Sequence, residues 1–267
     1  MAEKKRKGLP VKGACLMLFF VLALALTGCR PGGEDAPVAA ASTATPAPVQ
    51  RPEGTVWALE GECSFPDEKE PVYHFTYRYP QIAGESYAAL MVNDTYQMAL
   101  DEMVQLVLPM FANEPSMRFD GRNEVTHDFE VTCNNGRFLS VLMKKSQSRG
   151  EEGVFRSLES LTFDMSGEYA GESLTLRGVV MVGDSTDQLA AALTPVLYQE
   201  FLRLQQAGVC RKDADRETFE LEFSPAIHFY ADEGGRVVFY FPPVLLAEPS
   251  FDVPTFPYTP AELESLL

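Results

Sequence analysis

The chain reads as an α+β protein in which antiparallel sheets are each packed by a long helix, arranged as two adjoining subdomains. Three observations carry that reading. Apolar residues alternate at period two through 55–65, 72–79 and 126–144, the spacing of half-buried strands. They step by three or four through 85–111 and 185–204, the spacing of helices with one buried face. Each long helical stretch lies among strand-like runs, so the two halves contain the same ingredients. A hydrophobic share of 46% over 267 residues supports one large core or two modest ones.

Residues 1–28 precede the fold. Lys4, Lys5, Arg6, Lys7 and Lys12 stand before and at the start of an apolar run over 14–26 that ends in Leu26-Thr27-Gly28-Cys29. A basic segment, a short apolar run and a small residue at its end mark a secretory signal, and the run is well short of the ~20 residues that cross a bilayer. The four closing residues resemble the lipobox of bacterial lipoproteins, where cleavage precedes the cysteine and the thiol carries a diacylglycerol. That resemblance implies lipid attachment at Cys29 and a place in the cell envelope, on the outer face of the cytoplasmic membrane. Residues 29–54 are rich in Pro, Ala, Ser and Thr without hydrophobic period, the composition of a flexible tether.

The first subdomain spans 55–148. Trp57, Leu59, Gly61, Cys63 and Phe65 share one strand face, and a second strand over 72–79 is expected to stop at Pro80, which lacks a ladder donor. Val92, Tyr96, Leu100, Met103 and Val107 then form the stripe of a helix over 85–111, with Pro109 bending or ending it. Met91, Tyr96, Met98, Met103 and Met110 suggest either a ligand groove or, more commonly, core filling. A hairpin follows around Asn134-Asn135-Gly136. A three-residue loop with Gly136 left-handed pairs Phe129 with Val141, Val131 with Leu139 and His127 with Met143, which keeps apolar partners on one face. It places Cys133 on that same inner face.

Polar, Gly-containing residues 145–153 suggest a boundary, and 149–267 form the second subdomain. A strand over 155–164 leads to a turn at Met165-Ser166-Gly167. Gly183-Asp184-Ser185 opens a second helix, with Gln188 completing a capping-box pattern, Leu189, Leu193, Val196, Leu197, Phe201 and Leu204 as its stripe, and Gly208 as C-terminal cap. Pro195 falls inside and is expected to kink or break it. Phe219-Glu220-Leu221-Glu222-Phe223 alternates as a strand does, residues 227–230 and 236–241 flank a hairpin turn at 232–235, and Thr259-Pro260-Ala261-Glu262 starts a short final helix.

Phe163 to Gly167, Leu174-Thr175-Leu176, the second helix, Phe219 to Phe223, the Gly234-Gly235 hairpin with Val238 to Phe241, and Val253-Pro254 to Tyr258 follow the order of the RsiV-like domain. Phe75 to Tyr79, Pro80-Gln81-Ile82 and Asn93 resemble the companion domain that precedes it in the same proteins and in PdaC-type deacetylases. Together these resemblances cover residues 56–267. They imply an α+β module of the cell envelope that binds or senses a lysozyme-like protein or peptidoglycan. The chain departs from the pattern at 149–153 and in a lengthened turn over 168–173.

Chemistry is sparse in the sequence. The histidines are His74, His127 and His228, far apart and without metal-ligand spacing, and no nucleophile elbow, phosphate-binding glycine loop or Cys-x-x-Cys is present. No catalytic residue, metal ligand or cofactor is assigned. Acidic pairs such as Asp67-Glu68 and Glu151-Glu152 suit solvated loops. A cell-wall glycan-modifying enzyme, its site assembled only in the fold, is the alternative to a binding protein. Five of 22 basic and one of 38 acidic residues precede Cys29, which leaves 17 against 37 and a formal charge of −20. Nucleic acid is disfavoured as a partner, and the balance favours a cationic partner or, as the commoner explanation, simply high solubility; for a cationic protein, 145–153 and 232–235 are the recognition loops. Export permits a disulfide. Cys63 and Cys133 form the candidate pair against buried free thiols, and Cys210 stays unpaired.

Overall fold

The computed structural model describes residues 51–66, 71–114, 123–148, 150 and 153–267. Residues 49–267 form one compact unit. The expected signal segment, Cys29 and the tether up to Gln50 lie outside the described residues, as do Asp67-Glu68 and Glu151-Glu152.

A five-stranded sheet is built in chain order from β1 (Val56–Phe65), β2 (Tyr73–Ile82), β3 (Asn123–Asn134), β4 (Phe138–Ser148) and β5 (Val154–Asp164). Its pairs are antiparallel except β2 with β3, which run parallel from Tyr73 opposite Asn123 to Tyr77 opposite His127. A parallel pair needs a crossover. It is supplied by α1 (Tyr87–Glu102), a π-helical turn (Met103–Val107) and α2 (Leu108–Asn113). Strand β2 does not stop at Tyr79, as expected, but runs through Pro80 to Ile82. Proline is tolerated because the β2–β3 pairing has already ended at Tyr77, so no neighbour on that side calls for its missing donor.

Ser86 caps α1, its side chain accepting from Ala89 N at 3.2 Å. Asn93 then pins the helix to the sheet: its amide accepts from Ile82 N at 2.7 Å and donates to Ile82 O at 3.0 Å. Val92, Tyr96, Leu100 and Met103 are buried, with Phe75, Tyr79, Val141 and Phe163 of the sheet in the same core. The helix does not end at Pro109. The proline lies in the first turn of α2, directly after the π-turn, and the wider turn makes room for the ring and the unpaired carbonyl it leaves behind. The methionines divide. Met103 joins the core, whereas Met98 and Met110 are 61% and 42% exposed.

The hairpin has a three-residue loop, but it is Asn135-Gly136-Arg137, with Gly136 left-handed at φ 81°. Phe129 pairs with Met143 and Val131 with Val141, two residues from the expected register; an even shift keeps every side chain on its face. Past Val131 a β-bulge changes that. Cys133 pairs with Ser140 and turns to the opposite face, against Phe138 and Ala231. The expected boundary after residue 148 does not separate two sheets either: β5 pairs with β4 over its whole length, from Ser148 opposite Val154 to Phe138 opposite Asp164.

The second half forms a three-stranded antiparallel sheet, β6 (Phe229–Ala231), β7 (Val237–Tyr240) and β8 (Thr255–Tyr258), with α3 (Leu176–Val180), α4 (Thr186–Gln206), α5 (Arg216–Glu222) and α6 (Pro260–Glu264). Ser185 caps α4 by accepting from Gln188 N at 3.1 Å, and Gln188 reaches back to Asp184 N at 2.8 Å. Leu189, Leu193, Leu197 and Phe201 are buried, and α4 continues through Pro195 as one helix. The segment expected as a strand at 219–223 is helix α5: Asp215 caps it, Phe219 and Phe223 face the core, and Leu221 is 62% exposed. A Phe-x-x-x-Phe pair suits either period, and the cap favours the helix. The C-terminal helix α6 has the full capping box of Thr259 with Glu262.

Strand β7 is shared between two cores. Val237 and Phe239, with Phe241 beyond its end, pack with α4 and α5, whereas Tyr240 packs with Leu142 and Leu158 of the larger sheet. Short polar side chains join the sheets: Ser140 Oγ accepts from Ala231 N at 3.1 Å and lies 2.8 Å from Thr162 Oγ1, and Ser160 donates to Phe229 O. The layers run helix, sheet, sheet, helix. The uncovered part of the larger sheet bears ion pairs, Arg78 with Glu60 and Asp128, and Lys144 with Glu130.

Candidate functional site

The residues singled out in the sequence do not converge. Cys63 lies on the helix side of β1, Cys133 on the opposite face of β3. Cys63 aligns through Phe75 with Val125, and Cys133 lies eight residues further along β3, so the two are roughly 25 Å apart along the strands alone. A disulfide spans about 7 Å between Cα atoms at most. Cys63, Cys133 and Cys210 are all free thiols, and burial raises the pKa of each. The expected recognition loops also separate. The 232–235 turn meets the hairpin tip, where Asn134 N donates to Glu233 Oε1 at 2.8 Å. The chain enters 149–153 from Ser148, at the far end of an eleven-residue strand and roughly 35 Å from the hairpin tip.

The histidines have three environments. His74 lies 3.1 Å from Ser64 Oγ and 3.5 Å from Glu62. His228 accepts from Ser224 N at 3.1 Å and stacks on Phe223, and burial lowers its pKa to about 4. His127 is part of a polar group inside the core under α1. Its Nδ1 lies 2.7 Å from Tyr79 Oη, and its ring meets Phe75 edge-on at 5.0 Å. Lys145 stands opposite it on β4 and forms an ion pair with Glu159, the diagonal neighbour on β5. The buried Tyr96 of α1 completes the group, its ring 6.4 Å from that of Tyr79.

The electrostatics of this group follow from burial and one ion pair. Desolvation, reinforced by Lys145, holds His127 well below the ordinary histidine pKa, so its ring is neutral. Desolvation with the nearby Glu159 pushes Tyr79 and Tyr96 far above the ordinary phenol range. Lys145 keeps Glu159 ionised against the cost of its cover. Tyr79 Oη and the neutral ring of His127 share one hydrogen bond at Nδ1, its direction set by the imidazole tautomer. A general acid or base works best with a pKa near the working pH. In this group the phenols are held protonated, the imidazole neutral and the carboxylate charged. Its sequence signal was a charge in the inward register of each of two neighbouring strands, Lys145 after Leu139, Val141 and Met143, and Glu159 before Leu161 and Phe163.

Among the described residues no group of three or more His, Cys, Asp or Glu is placed to hold a metal ion. A recess beside the end of α4 is lined by Arg203, Leu204, Val209 and residues 252–256 and is open to solvent. The charge distribution is more distinctive. Arg203, Arg211, Arg216 and Arg236 each pair with a nearby acid. On α1, Asp94, Asp101 and Glu102 form no ion pair among the described residues, and residues 85–114 contain no Lys or Arg.

No family model and no curated protein matches the chain. In fold it is similar to a DUF3298 family member from Bacteroides fragilis, with a TM-score of 0.51 and 13% identity over 80% of this chain and all of that one. It is equally similar to a DUF3298 family protein from Pseudomonas aeruginosa, with a TM-score of 0.51 and 13% identity over 80% of this chain and 94% of that one. The α+β architecture described above is therefore the one found in DUF3298 structures, a domain of unknown function.

Proposed function

We propose that the protein is a lipoprotein anchored through Cys29 on the outer face of the cytoplasmic membrane, and that its RsiV-like folded part binds or senses a basic protein of the envelope, of the lysozyme-like kind. The observation that carries this reading is charge. The mature chain has a formal charge of −20, and four arginines of the second half are already tied to neighbouring acids. Such a surface steers a cation to it at low ionic strength and loses part of that pull as salt rises. An anionic or neutral glycan gains nothing from it. The protein is not an enzyme in this reading, and the Tyr79, His127, Lys145 and Glu159 group supports the core under α1.

The anchor is tested by Cys29→Ala, which should leave an unprocessed precursor without label from a fatty-acid analogue; normal processing of that variant contradicts it. Binding is tested by calorimetry on the full chain held in phosphatidylcholine nanodiscs. A basic lysozyme should give saturable heat at low salt that weakens at physiological salt. No heat with lysozyme removes the cationic-protein reading, and saturable heat with soluble peptidoglycan fragments alone moves the function to wall binding.

A further inference from the structure

The outward side of the α1–α2 crossover is apolar where a solvent-facing helix is ordinarily polar. Leu90, Met98, Leu106 and Met110 are 55%, 61%, 52% and 42% exposed, and Tyr87 at the helix start is 67% exposed. The four aliphatic residues fall on steps of four or eight. On a regular helix each step of four overshoots the 3.6-residue turn, so such a row winds away around the helix. The π-turn at Met103–Val107 takes an extra residue into one turn. It thereby returns Leu106 and Met110 toward the side that carries Met98. Without it the row would be dispersed.

Acids occupy the gaps in this row. Asp94 falls between Leu90 and Met98, and Asp101 and Glu102 between Met98 and Leu106, and none of the three is in an ion pair among the described residues. A second copy of the chain would bring acid against acid. An anionic lipid surface would be repelled in the same way. A basic amphipathic segment matches both features, with its apolar side on the Leu and Met row and its Lys or Arg residues on the acids. Unbranched methionine suits such a surface because its side chain adapts to different partners. The turn at 167–173 leans on the same helix. Gly171 approaches so closely that a Cβ there would lie 2.7 Å from Met91 Cβ, and the turn carries Tyr169 at 55% exposure.

From this arrangement we infer that the outer face of α1–α2 is the docking surface for a basic amphipathic segment of a partner protein, an inference that rests on the cationic-protein reading and assigns it a place. The test uses the full chain in phosphatidylcholine nanodiscs, with protein-free discs subtracted. Two probes are titrated, a Leu/Lys amphipathic helical peptide and a basic lysozyme. The peptide should bind saturably, and Leu90→Ser/Met98→Ser/Leu106→Ser should weaken it at least tenfold. Asp94→Asn/Asp101→Asn should weaken it several-fold and flatten its salt dependence. The control Leu221→Ser/Ile227→Ser, which removes exposed apolar residues elsewhere, should leave it unchanged. All these positions are exposed, so folding is retained and checked by unchanged urea midpoints. Equal peptide binding by wild type and the triple variant, or none by wild type, overturns the inference. Peptide binding at α1 without lysozyme binding supports the docking surface and removes lysozyme as the partner. Lysozyme binding that the triple variant keeps leaves the cationic-protein reading standing and overturns the place. Loss in the triple variant of binding to anionic vesicles, with the peptide unaffected, overturns it in favour of a membrane contact.

Discussion

Helices α1 and α4 occupy equivalent outer layers, yet their solvent faces differ. In α4 the exposed positions are Asp187, Gln188, Ala191, Pro195, Gln199, Arg203 and Gln206, with no large apolar residue, and Arg203 pairs with Glu200. The α1–α2 crossover exposes Tyr87, Leu90, Met98, Leu106 and Met110, and its Asp94, Asp101 and Glu102 form no ion pair among the described residues. Both helices bury an inner stripe, so burial of that stripe does not account for the difference. A helix that only covers a sheet has no use for a second apolar face, which makes α1 the element with something left to bind. Scattered exposed apolar residues are ordinary, but a row along one element marks interaction surfaces.

The largest expected effect compares the inner with the outer face. Phe201 of α4 is fully buried among Phe219 and Phe241. Phe201→Ala should cost about 3–5 kcal/mol of stability in urea unfolding, whereas Met98→Ala should change it by less than about 0.5 kcal/mol. A large loss from Met98→Ala would mean that this residue supports the fold, and the contrast between the two helices would disappear.

Acid separates the two cores by a smaller amount. His228, in the α4-side half, and His127, under α1, are both held neutral by burial, with His228 at about 4 against 6.5 unfolded. A folded pKa below the unfolded one means that the unfolded chain binds the proton first. The stability contributed by neutral His228 is then complete above pH 6.5 and is lost as pH falls toward 4, on the order of 3 kcal/mol from this residue. His228→Asn should flatten the fall in urea midpoint between pH 6.5 and 4, and His127→Gln should remove a separate part of it. A midpoint that is level across this range in the wild type would contradict the burial of both rings.

Much of the fold was legible in the sequence because local rules and tertiary demands agreed. The buried stripes of α1 and α4, the caps at Ser185, Gly208 and Thr259, and the β6–β7 hairpin all follow from spacing and turn chemistry. What escaped depended on neighbours that are remote in sequence. Pro80 is harmless only because β3 stops pairing before it. Cys133 reverses its face through a one-residue bulge that period-two counting cannot register. The parallel β2–β3 pair is set by the crossover, and β5 crossed the expected boundary because polar residues at a tight strand connection look like those of a linker. Phe219 to Phe223 satisfied both periods, and Asp215 gave the better signal. Of the site, the acid excess was legible from composition alone. That Met98 and Met110 face outward while Tyr96 and Met103 face inward required the position of the sheet.

Methionine oxidation footprinting tests the central contrast most directly, because the sulfur atoms report from the surface in question. The full chain in phosphatidylcholine nanodiscs is exposed to hydrogen peroxide with and without a saturating basic lysozyme, and oxidation is followed at Met98, Met110 and Met181. Met181 is 70% exposed and lies outside α1–α2, so it serves as the internal reference. Bound lysozyme should slow oxidation of Met98 and Met110 several-fold and leave Met181 unchanged. Unaltered rates at Met98 and Met110 with lysozyme bound, or protection confined to Met181, would contradict the assignment of the α1 face as the surface that the partner covers.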